Sequence, residues 1–270
     1  MQPGQRSFQV QRRYDSQSEA AEDQLAEEVA VALVYNGLSH VVMMASPTAL
    51  DDFALGFSLT EQVIRHPGQI YGIETVKQSL GIELHIEIAS EAFSRLKEHR
   101  RNLTGRTGCG LCGAESLTQA FSAPQQVERV NLPTFSAIEI ALKKLHKNQP
   151  LQSVTGAVHG AALCDASGDI RLMREDVGRH NALDKLIGAR TKQQKDLPDN
   201  TDSFVLISSR ASYEMVNKCT AMGISTLVAV SAPTALAVEN AANAGMNLIG
   251  FARPGRQVIY ASGSRIKSEQ

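Results

Sequence analysis

Short apolar segments alternate with helical segments through the second half of the chain, and this pattern limits the possible folds more than any other feature. The apolar segments SFVLISS, STLVAV and MNLIGFA are separated by the helical segments YEMVNKCTAM and PTALAVENAANA. Short apolar strands are buried on both faces, and their alternation with helices is typical of βαβ units. The pattern predicts an α/β fold, a layered mixed sheet flanked by helices, with largely parallel strands in this half.

The first half of the chain is richer in strands. The segments VAVALVY and LSHVVMMA are joined by Asn36-Gly37, a pair that favours a type I′ hairpin turn. Residues 73–88 predict a second hairpin that turns near Gly81, because apolar and polar residues alternate after this glycine. We therefore expect a β-rich N-terminal elaboration of the α/β fold.

Two helix starts are predicted from capping patterns. Thr48 and Asp51 match a capping box and predict a helix after the first hairpin. Ser136 and Glu139 predict the start of another helix, which ends before Pro150.

The domain organisation follows from these elements. Residues 1–27 are polar and predict a weakly ordered, flexible lead-in. Residues 28–270 are expected to form a single α/β domain, with a β-rich subregion over 28–130 and the α/β core over 131–270.

The composition excludes several classes of protein. The net charge of −1 offers no general attraction for nucleic acid or an anionic membrane, so any anionic ligand needs a local site. The polar start lacks the apolar core of a signal peptide, and no apolar stretch approaches the roughly 20 residues that span a bilayer. Four cysteines without framework spacing argue against a secreted disulfide scaffold. We expect a cytoplasmic protein without nucleic-acid or membrane partners.

A glycine-rich loop, RTGCGLCGAES at 106–116, places Cys109 and Cys112 three residues apart. Glycine permits unusual backbone conformations and lets a partner approach the sulfurs closely. Arg106 and a helix beginning after Cys112 would both lower a thiol pKa, and the thiolate is the nucleophilic form. The loop is suited to an activated thiol that visits two sites.

Several interpretations of this loop compete, including a glycine turn that holds two thiols by chance. Structural zinc needs four ligands, but Cys164 and Cys219 stand alone in segments expected in the core. A thioredoxin-like pair follows the first strand of a βαβ unit, whereas this one follows a basic helix. A deaminase zinc site needs H-x-E, and His159-Gly160-Ala161 lacks the glutamate. Persulfide chemistry and a redox pair both stay open on the local residues.

A polar corner is predicted within residues 174–188, where Arg179-His180-Asn181 follows a glycine. It could face a ligand. The alternative is a solvated helix start, in which Asp184 and Lys185 face water.

Two further loops follow predicted strands. SSRAS at 208–212 offers backbone N–H groups and Arg210 to a phosphate, and the alternative is an ordinary Ser-capped helix. FARPGR at 251–256 has two arginines around a Pro-Gly turn, which suits phosphate recognition, and the alternative is a plain surface turn. Together the basic loops suggest one elongated anionic ligand such as a nucleotide.

The segments GRTGCGLCGAES, REDVGRHNALDKLIG, LISSRASYEMV, STLVAVSAPTALAVE and LIGFARPGR resemble the FdhD/NarQ family of formate dehydrogenase accessory sulfurtransferases. The resemblance extends from about residue 28 onward and rests on the cysteine loop combined with residues 174–188. It implies a cytidine-deaminase-like α/β fold without zinc, which agrees with the missing H-x-E glutamate.

The resemblance also implies a function. A cysteine desulfurase would supply sulfur, which the protein would carry as a persulfide on Cys109, with Cys112 as its partner. The sulfur would pass to the molybdenum cofactor, Mo-bis(molybdopterin guanine dinucleotide), before the cofactor enters formate dehydrogenase. The protein would thus be a sulfurtransferase with the cofactor as its bound substrate.

The family's cofactor-binding loop falls on six consecutive residues, namely Phe251, Ala252, Arg253, Pro254, Gly255 and Arg256. A guanine nucleotide is expected to occupy the same loop, and Arg179 and His180 are further expected contacts. The resemblance implies a homodimer.

Two other functions stay open. The protein could be a binding chaperone that escorts the cofactor without using its thiols. It could also be a dithiol redox protein, in which Cys109 and Cys112 form a reversible disulfide.

Overall fold

The computed structural model describes residues 3–15, 17–101 and 123–263, and within these ranges the chain forms three β-sheets and seven α-helices. The strands are β1 (Gln5–Tyr14), β2 (Gln17–Ala26), β3 (Val29–Tyr35), β4 (Leu38–Ala45), β5 (Ile70–Gln78), β6 (Gly81–Ile88), β7 (His159–Asp165), β8 (Ile170–Asp176), β9 (Ser203–Ile207), β10 (Thr226–Ala229), β11 (Asn247–Arg253) and β12 (Arg256–Ala261). The helices are α1 (Leu50–Thr60), α2 (Ser90–Arg101), α3 (Phe135–Leu145), α4 (Pro150–Thr155), α5 (Arg179–Lys192), α6 (Tyr213–Ala221) and α7 (Ala235–Ala244).

Strands β1 and β2 form an antiparallel hairpin that is paired along its whole length. The prediction of a weakly ordered lead-in over 1–27 is therefore wrong in its secondary structure. Opposite charges support the hairpin, with Arg6 2.9 Å from Glu27 and Arg12 3.8 Å from Asp23. Since strands exposed on both faces need no apolar side, polarity alone did not distinguish this hairpin from an unstructured segment.

The four-stranded sheet has the strand order β4-β3-β6-β5 and packs one face against α1 and α2. Asn36 and Gly37 have φ angles of 46° and 81°, as a type I′ turn requires. Gln78 pairs with Gly81, which places the second turn next to this glycine. Both predicted hairpins are confirmed.

The six-stranded sheet has the order β12-β11-β10-β9-β7-β8. Strands β9, β10 and β11 are parallel, whereas β7, β8 and β12 pair antiparallel with their neighbours. Helices α5, α6 and α7 pack on one face and α3 on the other. The mixed α/β fold is confirmed, but largely parallel pairing holds only for the central three strands, because hairpins form both edges of the sheet.

The two predicted helix starts differ in detail from the structure. Ala49, with φ of 49°, precedes α1 without a side-chain cap, so the capping box at Thr48 is wrong. The caps of helix α3 also differ, because Thr134 rather than Ser136 accepts the amide hydrogen bond at its start. In the first turn of α1, Asp52 forms ion pairs with Arg174 of β8 and Lys192 of α5.

Helices α1 and α5 join the two larger sheets through glycine contacts. A Cβ atom at Gly56 would lie 1.7 Å from the carbonyl oxygen of Asp184, and one at Gly188 would lie 1.9 Å from that of Asp52. The two backbones therefore touch directly, which only glycine allows. This crossing places the start of α5 against the end of β4.

Candidate functional site

The predicted polar residues lie along one edge of the six-stranded sheet, at the ends of its strands. Strand β7 begins at His159 opposite the end of β8 at Asp176, and β9 ends beside them because it also runs antiparallel to β7. Helices α5 and α6 begin at this edge, after Gly178 and Ser212. Open α/β sheets bind ligands at the carboxyl ends of their parallel strands, which meet at this edge.

Asp176 is fully buried and anchors the turn that precedes α5. Its carboxylate accepts hydrogen bonds from the Gly178 amide, the Asn181 side chain and the Ser46 amide, at 2.8, 3.0 and 3.0 Å. Lys185 Nζ lies 2.6 Å from Asp176 Oδ2 and donates to the Ser46 carbonyl at 2.9 Å. Burial lowers the pKa of Lys185 against the opposing effect of Asp176. The network fixes the first turn of α5 to the residue after β4.

The expectation that Asp184 and Lys185 face water is wrong, because their exposed fractions are 1% and 0%. Asp184 accepts hydrogen bonds from Thr60 at 2.7 Å and from Lys218 at 3.0 Å. Burial lowers the pKa of Lys218, but Asp184 and Glu61 outweigh it and raise the pKa overall. These buried charges link α5 and α6 to α1.

A sequence signal for this buried network does exist. Asp184 and Lys185 interrupt the segment ALDKLIGA at 182–189, whose other residues are all apolar or glycine, which is typical of a buried stretch of helix. Charged residues in such a helix need buried partners. The partners themselves come from distant segments and could not be read from the sequence.

Four titratable side chains lie close together in the polar corner. His180 Nε2 lies 2.9 Å from Glu214 Oε2, which also accepts a hydrogen bond from Ser212 Oγ at 3.1 Å. The His180 hydrogen bond lowers the pKa of Glu214. Burial, together with Arg179 and His180, lowers the pKa of His159. The structure thus adds His159 and Glu214 to the predicted corner at Arg179 and His180.

The SSRAS segment at 208–212 differs from one of its two predicted interpretations. Ser208 Oγ accepts the Gly160 amide at 2.9 Å, and Ser212 precedes α6 without a side-chain cap. The alternative of an ordinary Ser-capped helix is therefore wrong. Arg210 is exposed at the same edge.

Phe251 and Arg256 shape the loop at 251–256, which joins β11 to β12. Phe251 has a φ angle of 47°, which is rare for a residue with a bulky side chain, and its amide donates to the Ser231 carbonyl at 3.1 Å. The Arg256 guanidinium lies 5.0 Å from the centre of the Phe251 ring, within the range of a cation–π contact. The loop therefore presents a half-buried aromatic ring beside a positive charge.

The other residues of this loop differ in exposure. The Ala252 side chain is buried in the core below α3, whereas residues 253–256 are exposed. The Gly255 amide donates to Glu139 Oε1 at 3.0 Å, which ties the turn to α3. Of the six predicted residues, Ala252 is buried and Gly255 can offer only its backbone, so four residues have side chains that a ligand could contact.

The loop and the polar corner lie along the same sheet edge. Ala211, after β9, forms a parallel bridge with Pro233, after β10, and accepts the Thr234 amide at 3.0 Å. A Cβ atom at Gly250 would lie 2.7 Å from Pro233, so β11 packs closely against this segment. A continuous run of contacts therefore connects the corner with the loop.

Two of the four cysteines belong to the hydrophobic core, as predicted. Cys164 and Cys219 are both fully buried free thiols. Burial raises the pKa of Cys164, and it raises the pKa of Cys219 to about 12. The predicted pair, Cys109 and Cys112, lies outside the described residues.

Two features are absent from the described residues. Residues 3–15, 17–101 and 123–263 bring no three His, Cys, Asp or Glu side chains together in a group that could hold a metal ion. In the same ranges no helix has the length and apolarity that crossing a bilayer requires.

The fold has a counterpart among solved structures. A protein from Desulfotalea psychrophila, described as a formate dehydrogenase accessory protein, superimposes with a TM-score of 0.71. The match covers 96% of this chain and 98% of that one at 22% sequence identity. It shows that the mixed α/β architecture recurs in that protein.

The sequence comparisons show the family. A model of the FdhD/NarQ family matches residues 26–267. A sulfur carrier protein FdhD from Cupriavidus necator is 49% identical over 99% of this chain and 92% of its own length. Its counterpart from Acinetobacter baylyi is 48% identical over 96% and 93%. The chain belongs to the FdhD/NarQ family.

Proposed function

We propose that this protein is a sulfurtransferase that carries sulfur to the molybdenum cofactor for formate dehydrogenase. A cysteine desulfurase supplies the sulfur, which is held as a persulfide on Cys109 with Cys112 as its partner. The acceptor is Mo-bis(molybdopterin guanine dinucleotide), a bound substrate that is sulfurated before it enters formate dehydrogenase. The relatives named as sulfur carrier proteins and the solved structure described as a formate dehydrogenase accessory protein support this role.

The burial of Cys164 and Cys219 is the observation that carries the proposal. Thiolates, not thiols, accept sulfane sulfur, and burial disfavours the thiolate at both of these positions. Cys109 and Cys112 are then the cysteines left to react. In the first step, the Cys109 thiolate attacks the outer sulfur of the desulfurase persulfide. A new S–S bond forms at Cys109, the donor S–S bond breaks, and the desulfurase leaves as its thiolate.

Residues 251–256 support the choice of a guanine-nucleotide substrate. The half-buried ring of Phe251 offers a stacking surface for a base, and Arg253 and Arg256 offer charge to its phosphates. The net charge of the protein is only −1, so such local charges decide where an anion binds. This loop would hold and orient the substrate.

Intact mass measured after incubation with a cysteine desulfurase and cysteine tests the sulfur transfer. We expect a gain of one sulfur atom that reductant removes and that peptide mapping locates on Cys109. Cys109→Ala should abolish the gain, while Cys164→Ala, a matched control at a buried thiol, should keep it. No added sulfur while the desulfurase turns over would contradict the proposal.

A binding chaperone is the second candidate. The Phe251–Arg256 contact favours this candidate, because a chaperone could hold the cofactor at this contact without using a thiol. In that case Arg253→Gln and Arg256→Gln would reduce formate dehydrogenase activity more than Cys109→Ala. Full activity of a Cys109→Ser, Cys112→Ser double variant would exclude both the sulfurtransferase and the dithiol redox protein.

We further propose that the protein is a cytoplasmic homodimer. Sedimentation equilibrium of the full chain tests the dimer, since a single species at the mass of one chain, 29.2 kDa, would contradict it. Cell fractionation tests the location.

A further inference from the structure

We propose that the hairpin β1–β2 of one copy of this chain binds the outer face of the four-stranded sheet of a second copy, which returns the same contact. The outer face is the side of this sheet that points away from α1 and α2. The pairing of two copies rests on the homodimer proposed above. The family model begins at residue 26, the last residue of β2, so the family match assigns no role to the hairpin.

One face of the hairpin carries an exposed apolar patch, although its strands are mostly polar. Strand alternation places Phe8, Val10 and Tyr14 of β1 on the same side, and the pairing register adds Ala21 and Leu25 of β2. The exposed fractions of Phe8, Tyr14 and Leu25 are 44%, 58% and 41%. Apolar side chains that are exposed together, rather than singly, mark interaction surfaces.

The hairpin is held to the rest of the described chain at a narrow base. The Glu27 amide donates to the Gly4 carbonyl at 2.7 Å, and Gly4 packs against Leu151 of α4. Toward its tip the ribbon is held by backbone pairing and by the exposed ion pair of Arg12 with Asp23. A two-stranded hairpin alone is marginally stable in water, and exposed ion pairs add little. A surface that covers the apolar patch would stabilise it.

The outer face of the four-stranded sheet is apolar and exposed along β3 and β4. Ala30 pairs with Met44 and Ala32 with Val42, and strand alternation turns these four side chains away from the core under α1 and α2. Val42 and Met44 are 58% and 50% exposed. Within one chain this face has no extensive contact with the hairpin. Each copy therefore offers two exposed apolar surfaces that a reciprocal contact would cover together.

The charges of the two surfaces are complementary. Strand β1 contains arginines and no acidic residue, and Arg6 and Arg12 lie on the same side as the apolar patch. On the sheet, Ala32 pairs with Glu83 of β6, and Glu74 of β5 lies on the same side, so the outer face becomes acidic toward β5. A hairpin that lies on β3 and β4 with β1 toward β6 brings the arginines to the glutamates. Such complementarity fixes the orientation of a contact.

The area of the reciprocal contact is that of a specific interface. Ten residues of extended strand make the ribbon about 34 Å long, and two strands make it about 10 Å wide. Two hairpin faces of about 340 Å² each, with the matching sheet surfaces, would remove about 1,400 Å² from water. Specific interfaces bury about 1,200–2,000 Å². Contact of hairpin with hairpin would bury about half of this area and leave both sheets uncovered.

The outer face borders the polar corner. The Met44 carbonyl accepts a hydrogen bond from the Asn181 side chain at 2.8 Å, and Asn181 directly follows His180 in the first turn of α5. A second copy bound to the outer face would therefore lie beside the candidate site of the first.

Sedimentation equilibrium of the full-length protein tests the two surfaces. Phe8→Asp on the hairpin and Val42→Asp on the sheet each place a charge from both copies in the interface, so each should raise the Kd of the dimer about tenfold or more. Both positions are exposed in the single chain, so both variants should fold. Ile140→Asp, at an exposed apolar position of α3, is the matched control and should leave the Kd unchanged.

A photo-cross-link identifies the surfaces that meet. The photoreactive amino acid p-benzoylphenylalanine replaces Phe8 in a mixture of ordinary and isotope-labelled chains. We expect cross-linked peptides in which position 8 of one chain is joined to residues 29–45 of a chain with the other isotope. Mass spectrometry distinguishes these peptides from cross-links within one chain.

The homodimer and its surfaces fail separately. A wild type that sediments as a single chain would overturn both. A dimer whose Kd does not change in Phe8→Asp and Val42→Asp would keep the homodimer and overturn the hairpin contact. Cross-links from position 8 that stay within one chain, or that reach the partner's hairpin instead of its sheet, would also overturn it. The sulfur transfer is tested independently by the mass measurement on Cys109.

Discussion

Lys185 Nζ and Asp176 Oδ2 lie 2.6 Å apart, and both side chains are fully buried. The pair joins the middle of α5 to the turn that precedes it, and it shares Ser46 with the end of β4. The polar corner at Arg179 and His180 begins directly after this turn. The pair therefore fixes the position of the polar corner from within the core.

Removal of one partner of this ion pair should destabilise the folded protein. Lys185→Met leaves the Asp176 carboxylate buried with no cation, and we expect a loss of about 3–5 kcal/mol in the free energy of unfolding. Urea unfolding monitored by circular dichroism measures it. Lys195→Met at an exposed position is the control and should change stability little. If both variants change the free energy of unfolding by a similar small amount, the buried Asp176 carboxylate does not need Lys185 as its counter-ion.

The crossing of α1 and α5 should not tolerate a methyl group. Gly56→Ala places its Cβ 1.7 Å from the Asp184 carbonyl, so the helices must separate. We expect a loss of about 2–3 kcal/mol, as for other overpacked cores. Gly72→Ala is the matched control, because its nearest neighbour is a side-chain oxygen at 3.8 Å. Thermal unfolding compares the two, and equal melting temperatures would contradict the close crossing.

The contact between His180 and Glu214 should make stability depend on pH. The folded-state pKa of Glu214 lies below its unfolded value of 4.5 because His180 donates to it. Its contribution is therefore present above pH 4.5 and is lost as the pH falls through the folded pKa. Because Glu214 is partly exposed, we expect only about 0.5–1 kcal/mol.

Urea unfolding of wild type and Glu214→Gln between pH 3 and pH 7 measures this contribution. The difference in the free energy of unfolding should be largest near neutral pH and should shrink toward pH 3. Glu239→Gln, at an exposed position of α7, should show no such trend. A difference that stays constant with pH would mean that the carboxylate charge is not involved.

The core cysteines should be unreactive in the folded protein. Burial disfavours the thiolate at Cys164 and Cys219, so iodoacetamide should label neither residue under native conditions. Both should be labelled in urea. Peptide mapping by mass spectrometry distinguishes the two states, and native labelling of Cys219 would show that α6 opens readily.

Local patterns predicted most of the secondary structure. The type I′ turn at Asn36-Gly37 needs only two residues with positive φ, and the alternation of apolar strands with helices in the second half depends on local periodicity. The hairpin β1–β2 was missed because its stability comes from pairing between two polar strands. The predicted capping box of Thr48 and Asp51 does not form, because α1 begins after Ala49, whose left-handed backbone no capping pattern predicts.

The sequence by itself determined the mixed α/β class, the family, and the segments that carry polar chemistry. These properties follow from residue types and spacings along the chain. The tertiary structure alone decided which of these segments meet, that Asp184 and Lys185 are buried, and that His159 and Glu214 join the corner at Arg179. Contacts such as those of His180 with Glu214 and of Asp184 with Lys218 join residues 34 positions apart. They depend on strand order and on the glycine crossing of α1 with α5, which no local pattern encodes.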